Sequence, residues 1–133
     1  MKFKTLMIIK AVVCLGFGPL LLFIPGFVLT LFGMEICDAA SLTAREYGAA
    51  MIGNMLLAFL ARDAGPSTIR KAIIWDLFIY DLAALVALSI LQLQGVMNFM
   101  GWSIVVIYLF FSIGFGIFLL PKKSAAWIIP LPV

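Results

Sequence analysis

Four long stretches of apolar residues restrict the fold of this chain more than any other feature. They fall at residues 11–34, 44–62, 72–91 and 99–120, and a helix that spans a membrane needs about 17–25 mostly apolar residues. The chain is also 65% hydrophobic and only 11% charged, so a soluble monomer could not cover its apolar residues with polar surface. We therefore expect one all-α integral membrane domain over residues 1–133, folded as a four-helix transmembrane bundle.

Prolines and capping signals mark the ends of the predicted helices. Pro19 and Pro25 should kink the first helix, or end it near Phe23 with a second short segment behind it. Thr43-Ala44-Arg45-Glu46 matches a capping box and predicts the start of the second helix. Gly65-Pro66-Ser67 predicts a turn before the third helix, with its serine as the N-cap. The predicted spans are about 11–32, 44–62, 70–92 and 99–120, followed by an interfacial tail at 121–133.

Basic residues are distributed unevenly between the two sides of this arrangement. One side holds both termini and the turn between the second and third helices, and it carries Lys2, Lys4, Lys10, Arg62, Arg70, Lys71, Lys122 and Lys123. The opposite side carries Arg45. Because cytoplasmic loops are enriched in lysine and arginine, both termini are expected in the cytoplasm. The net charge of +3 follows from this bias, so the expected partner is the lipid bilayer and not a nucleic acid.

The sequence contains no histidine, which removes most catalytic triads, most zinc sites and any histidine-ligated haem or chlorophyll. Cys14 in the first helix and Cys37 in the following loop form no C-x-x-C pair and differ in depth by most of a membrane. We expect Cys14 to pack as a small hydrophobic side chain. We expect Cys37 to be a free thiol or to pair with another chain. No metal site and no enzymatic activity are predicted, and the identity of any cofactor is left open.

Three polar side chains lie inside the predicted spans, namely Asn54, Asp76 and Asp81. A charge at the centre of a bilayer costs at least about 2.5–3.5 kcal/mol, so these groups need partners or a wet cavity. If the second and third helices pack as antiparallel neighbours, Asp81 lies near the midplane and Asp76 nearer the cytoplasm. Because side chains lean toward the N-terminus of their own helix, we predict an Arg62–Asp76 ion pair and an Asn54–Asp81 hydrogen bond.

Asp81 points about 140° away from Asp76 around the helix, so Tyr108 or Ser112 of the fourth helix is an alternative partner for it. The predicted intramembrane polar cluster comprises Asn54, Arg62, Asp76, Tyr80 and Asp81. Such groups act either as interhelical bonds, each worth about 0.6–2 kcal/mol, or as a site that exchanges protons. Small residues at helical spacing are expected to pack helices closely together: Ala49, Ala50, Gly53, Ala58 and Gly114.

Several short motifs follow one another in a recognisable order: Gly18-Pro19, Pro25, Phe32-Gly33, Ala44-Arg45-Glu46-Tyr47-Gly48-Ala49, Ala61-Arg62, Asp81 and Gly101-Trp102. This order resembles small bacterial four-helix integral membrane proteins of the loosely DoxX-like kind. The resemblance covers residues 16–120, and it implies the same fold and orientation in a bacterial cytoplasmic (inner) membrane. Many such families have no assigned activity, so the resemblance implies no reaction and no functional residue.

Three functions are compatible with these features. The first is a structural or accessory subunit of a larger membrane complex or of a homo-oligomer. The second is a proton-coupled small-molecule carrier or exporter that uses Asp81 or Asp76. The third is a membrane enzyme or binder of a lipid or quinone, in which Asp76, Tyr80, Asp81 and Asn54 supply an acid and a base. The sequence favours the first, because a chain without histidine, a cysteine pair or long loops offers few groups for chemistry.

Overall fold

The computed structural model describes residues 1–121, which form α-helices without a strand in that part of the chain. The helices are α1 (Phe3–Phe23), α2 (Pro25–Leu31), α3 (Asp38–Ala61), α4 (Thr68–Leu93) and α5 (Gly101–Leu119). Three of them, α1, α4 and α5, are long and apolar enough to cross a membrane. The all-α prediction is confirmed for these residues. Except for Pro121, the predicted interfacial tail lies outside the described residues.

The first predicted span is divided at Ile24, as its prolines indicated. α1 ends at Phe23, and Pro25 occupies the first position of α2, where its fixed φ and missing N–H are tolerated. The start of the span differs from the prediction, because α1 begins at Phe3 and not near residue 11. Lys10 therefore lies inside the helix, and counting it among the residues at the cytoplasmic end needs correction.

The capping predictions have two different outcomes. Ser67 caps α4 as predicted, because its Oγ accepts the backbone N–H of Arg70 at 3.1 Å. The predicted start of the second span was wrong, because α3 begins at Asp38, where the Sγ of Cys37 accepts a backbone N–H at 3.4 Å. Thr43 lies inside α3, and its hydroxyl donates to a carbonyl one turn earlier at 2.9 Å, so it caps nothing.

The long helices pack mainly as two pairs, α1 with α3 and α4 with α5. Gly48 permits the close approach within the first pair. A Cβ at this position would lie 2.6 Å from the backbone nitrogen of Leu22 and 2.7 Å from the carbonyl oxygen of Gly18, so no larger residue fits. The consecutive helices α3 and α4 are not each other's main packing partners, although the sequence was interpreted as making them neighbours.

The predicted packing residues fall into two groups. Ala58 and Gly114 are buried, whereas Ala49, Ala50 and Gly53 are exposed. Nothing lies within 4 Å of a Cβ built on Gly53. The expectation that the exposed group packs helices of this chain together needs correction, because α3 turns the face that carries Gly48 toward α1.

Polar contacts connect the helices at both ends of the molecule. At one end, Lys4 Nζ lies 2.7 Å from Asp63 Oδ1, and the Arg70 guanidinium stacks on the Phe3 ring at 4.0 Å. These contacts hold the N-terminus against the turn between α3 and α4. At the other end, Asn98 donates two hydrogen bonds of 2.9 Å, from its side chain and its backbone, to carbonyls at the end of α2.

Candidate binding site

An ion pair between Lys10 of α1 and Asp81 of α4 connects the two helix pairs inside the molecule. Lys10 is 3% exposed and Asp81 is 0% exposed, so both charges are shielded from the surroundings. The Lys10 ammonium donates to Asp81 Oδ1, while Asp81 Oδ2 is buried without a hydrogen-bond partner in residues 1–121. Because a lone charge is costly in this environment, each of the two residues explains the presence of the other.

Three aromatic rings also lie near the Lys10 ammonium. Lys10 Nζ lies 4.5 Å from the ring centre of Phe111, 5.3 Å from that of Tyr80 and 5.8 Å from that of Tyr108. At such distances the negative face of an aromatic ring attracts a cation. The lysine is therefore stabilised by one carboxylate and by aromatic rings that α4 and α5 carry.

Three tyrosines from three helices meet beside this ion pair. The Tyr80 hydroxyl of α4 donates to the Tyr47 hydroxyl of α3 at 2.8 Å, and the Tyr47 and Tyr108 hydroxyls are also in direct contact. The Tyr80 and Tyr108 rings lie 6.4 Å apart between their centres. The three hydroxyls thus form a hydrogen-bonded chain in which Tyr47 of α3 lies between Tyr80 of α4 and Tyr108 of α5.

A cavity of about 650 Å³ extends from this polar cluster between the two helix pairs. Along α1 its lining residues run from Lys10 to Leu21, a distance of about 16 Å at the helical rise. The polar lining side chains are Lys10, Cys14, Thr43, Tyr47, Tyr80 and Tyr108, and the others are apolar. The cavity therefore has a polar end at Lys10 and a long apolar body that reaches the segment after α2 and the loop around Met97.

The structure brings together only part of the predicted polar cluster. Tyr80 and Asp81 lie at the site, and Asp81 pairs with Lys10 instead of Asn54. Asp76 is exposed on α4. Arg62 contacts Asp63, with 3.4 Å between its Nε and Oδ2, and also the carbonyl of Phe59. The Arg62–Asp76 pair does not form within the described residues, because α3 packs on α1 and not closely on α4.

The alternative partners predicted for Asp81 are close to the site but do not bond to it. Tyr108 contacts the tyrosine chain and the lysine, and Ser112 is buried with no partner for its hydroxyl in the described chain. The Asn54 side chain makes no hydrogen bond within residues 1–121, so it does not contribute to the polar end.

Lys10 is the site residue that sequence reasoning missed. It was assigned to the cytoplasmic surface because it directly precedes a long uncharged stretch. Two signals could have identified it. Residues 6–9 before it are as apolar as those that follow, and an aspartate near the midplane needs a cation on another helix.

The two cysteines occupy different environments. Cys14 is a buried free thiol that lines the cavity one turn along α1 from Lys10, and Cys37 is an exposed free thiol at the start of α3. A hydrophobic packing role was expected for Cys14, and its 2% exposure agrees with that expectation.

No family model, curated protein or solved structure matches this chain. Its function therefore has to be argued from the ion pair, the tyrosine chain and the cavity themselves.

Proposed function

We propose that this chain is an integral membrane protein that binds an apolar small molecule in the cavity between its two helix pairs. The observation that carries the proposal is the cavity itself, which measures about 650 Å³ and has a polar cluster at one end. Ligand sites typically measure about 300–1,000 Å³ and combine an apolar lining with a few polar groups that orient the ligand. Leu91 and Val96 of its lining are exposed, so the cavity opens to the surface and a ligand can enter it.

The side chains of the lining support binding of a molecule that resembles lipid in its polarity. Leu21, Val28, Phe32 and Ile104 present hydrocarbon along the body of the cavity. An apolar molecule released from the bilayer would exchange one apolar environment for another, so tight packing and the polar end would provide its affinity. This argument favours the binder among the three functions expected from the sequence.

The proposed topology places four helices across a bacterial cytoplasmic membrane, with both termini in the cytoplasm. α3 supports this topology because it contacts α1 near both ends: Lys4 lies against Asp63, and an Arg45 Nη donates to the Leu22 carbonyl at 2.8 Å. With Lys10 inside the molecule, the remaining basic residues among 1–121 still lie mostly at the end that holds the N-terminus. The resemblance to small DoxX-like proteins is consistent with this layout and remains a hypothesis.

Binding of tritiated dodecane tests the proposal, because a probe without a polar group reports on the apolar cavity alone. Ala84→Phe would place a ring in the cavity that Ala84 lines. Ala83→Phe is the matched control, because Ala83 is the neighbouring position on α4 and is exposed. Scintillation proximity on the purified full chain in mild detergent should show saturable binding for the original protein and for Ala83→Phe, and clearly weaker binding for Ala84→Phe. Absence of saturable binding to the original protein, or equal binding to both variants, would refute the proposal.

The accessory-subunit function is a second proposal, supported by the outer face of α3. Ala49, Ala50 and Gly53 are small and exposed there, and such residues allow close approach of a helix from another chain. Gly53→Leu should reduce the native size of the protein in mild detergent if a second copy or another subunit packs on this face. A monomer for both the original chain and the variant would remove the support for self-association.

A further inference from the structure

We infer that the molecule bound in the cavity carries an uncharged carbonyl oxygen, as in a ketone or a lipid ester, at the end that faces Lys10 and the tyrosines. This inference rests on the proposed function, and it adds the chemical class of the ligand. It follows from the hydrogen-bond donors and acceptors that the polar end has left over.

The first unused donors belong to Lys10. A lysine ammonium has three N–H donors and no acceptor. One donor is used by Asp81 Oδ1, and no second oxygen acceptor contacts the ammonium within residues 1–121. Lys10 lines the cavity, whereas Asp81 does not. The cavity therefore meets a cation with spare donors, and the compensating carboxylate lies behind it.

The second unused donor belongs to the tyrosine chain. Three hydroxyls carry three hydrogens, and the two contacts that join Tyr80, Tyr47 and Tyr108 use two of them. The Tyr80 hydrogen is directed to Tyr47, so one hydrogen of Tyr47 or Tyr108 is left for another acceptor. All three side chains line the cavity. The remaining hydroxyl of the lining, on Thr43, donates to its own helix.

A ligand group that satisfies these donors must be an acceptor. Buried donors without an acceptor cost about 1–3 kcal/mol each, so an oxygen between Lys10 and the tyrosines would be favourable. A protonated amine would offer only donors and would face the ammonium of Lys10. Hydrocarbon alone would leave the donors unpaired.

The charge balance favours an uncharged acceptor over a carboxylate. Lys10 and Asp81 already neutralise each other, and both are shielded by the protein. A carboxylate ligand would leave one net negative charge in a low-dielectric site, which is costly without a further cation. Of the described residues that line the cavity, Lys10 alone is charged. A carbonyl oxygen accepts the same hydrogen bonds without adding charge.

Competition against tritiated dodecane tests this inference. The competitors share one chain length and differ at one end: dodecane, dodecan-2-one, methyl dodecanoate, dodecanoate and dodecylamine. The comparison is made with the original chain and with the double variant Lys10→Met/Asp81→Leu, which removes both charges together. For each protein we compare the concentrations of ketone and of dodecane that displace half of the label. Dividing this ratio for the original chain by the ratio for the variant cancels the different partition of the two probes into detergent.

Dodecan-2-one or methyl dodecanoate should displace the label from the original chain at an about tenfold lower concentration than dodecane does, which corresponds to about 1.4 kcal/mol. The double variant should show a smaller advantage of the ketone and the ester over dodecane, because its site has lost the cation and keeps only the tyrosine donor. Whichever of the ketone and the ester competes better identifies the source of the carbonyl. Dodecylamine should compete no better than dodecane.

Three results would overturn the inference while leaving the proposed function intact. Equal competition by all probes with the original chain would show that no head group is recognised. Stronger competition by dodecanoate than by the ketone and the ester would show a charged ligand. A carbonyl preference that is undiminished in the double variant would show that Lys10 does not provide a donor. If the double variant does not fold, the rise in unfolding temperature that each probe causes in the original chain supplies the same ranking.

Discussion

Removal of either partner of the Lys10–Asp81 pair should destabilise the protein far more than removal of both. Lys10→Met leaves the carboxylate of a fully buried aspartate without its cation, and Asp81→Leu leaves an ammonium among aromatic rings. Breaking a buried ion pair by removing one partner costs about 3–5 kcal/mol. Replacing both partners with apolar residues of similar volume is often neutral or stabilising. We therefore expect each single variant to lose about 3–5 kcal/mol and the double variant to lose less than either.

Unfolding by sodium dodecyl sulfate in mixed micelles measures these differences, with the far-ultraviolet circular dichroism of the helices as the signal. Lys4→Met is the matched control, because it removes a lysine whose ion pair with Asp63 is more than half exposed. Exposed pairs contribute little, so this variant should unfold close to the original protein. The reasoning would be refuted if the single variants were as stable as the control, or if the double variant lost as much as the two single variants together.

Three further predictions concern the contacts that hold the helices together. Gly48→Ala should cost about 1–3 kcal/mol in the same unfolding assay, because its Cβ would meet backbone atoms at 2.6 and 2.7 Å. Gly53→Ala should be neutral or slightly stabilising, because nothing lies within 4 Å of its Cβ. Equal effects of the two variants would contradict the packing of α3 on α1. Asn98→Ala should cost about 0.5–1.5 kcal/mol for each lost side-chain hydrogen bond. It should also speed amide hydrogen exchange at the end of α2, and unchanged exchange there would show that Asn98 does not hold this end of the helix. The hydrogen bond from Lys4 lowers the pKa of Asp63, so nuclear magnetic resonance should show this carboxyl titrating below its usual range. The stabilising effect of the ion pair should be lost as the pH falls through that lowered pKa. Lys4→Met should return the pKa of Asp63 toward its usual value.

Local signals in the sequence predicted the ends of helices where one residue type dominates the backbone geometry. Pro25 cannot continue α1 because it lacks an N–H, and Ser67 offers an oxygen to the free N–H groups at the start of α4. The start of α3 was misplaced because the capping box at Thr43 was taken as the start of the helix. Cys37 is a weaker cap than Thr43 by type, yet it caps the helix, which begins at Asp38. The local pattern therefore predicted the break at Pro25 and the cap at Ser67 correctly, but not the start of α3.

The partners of the polar residues could not be predicted from local pattern. The sequence showed that Asp81 needs a partner, because a charge in hydrocarbon is costly. Asn54 was predicted as the partner of Asp81 because consecutive helices were assumed to be neighbours. The close approach at Gly48 instead brings α3 against α1, and Lys10 of α1 meets Asp81. The partner was therefore decided by contacts between residues far apart in the sequence.

The sequence by itself determined that this chain is helical and long and apolar enough for a membrane, because the lengths of its apolar stretches and their prolines leave few other arrangements for its backbone polar groups. Only the tertiary structure decided which helices pair, that Lys10 lies inside the protein and that the gap between the pairs is a cavity with hydrogen-bond donors at one end. The physical reason is that hydrophobicity acts on each segment separately, whereas the rotation and neighbours of a helix depend on close packing between side chains and backbone of different segments.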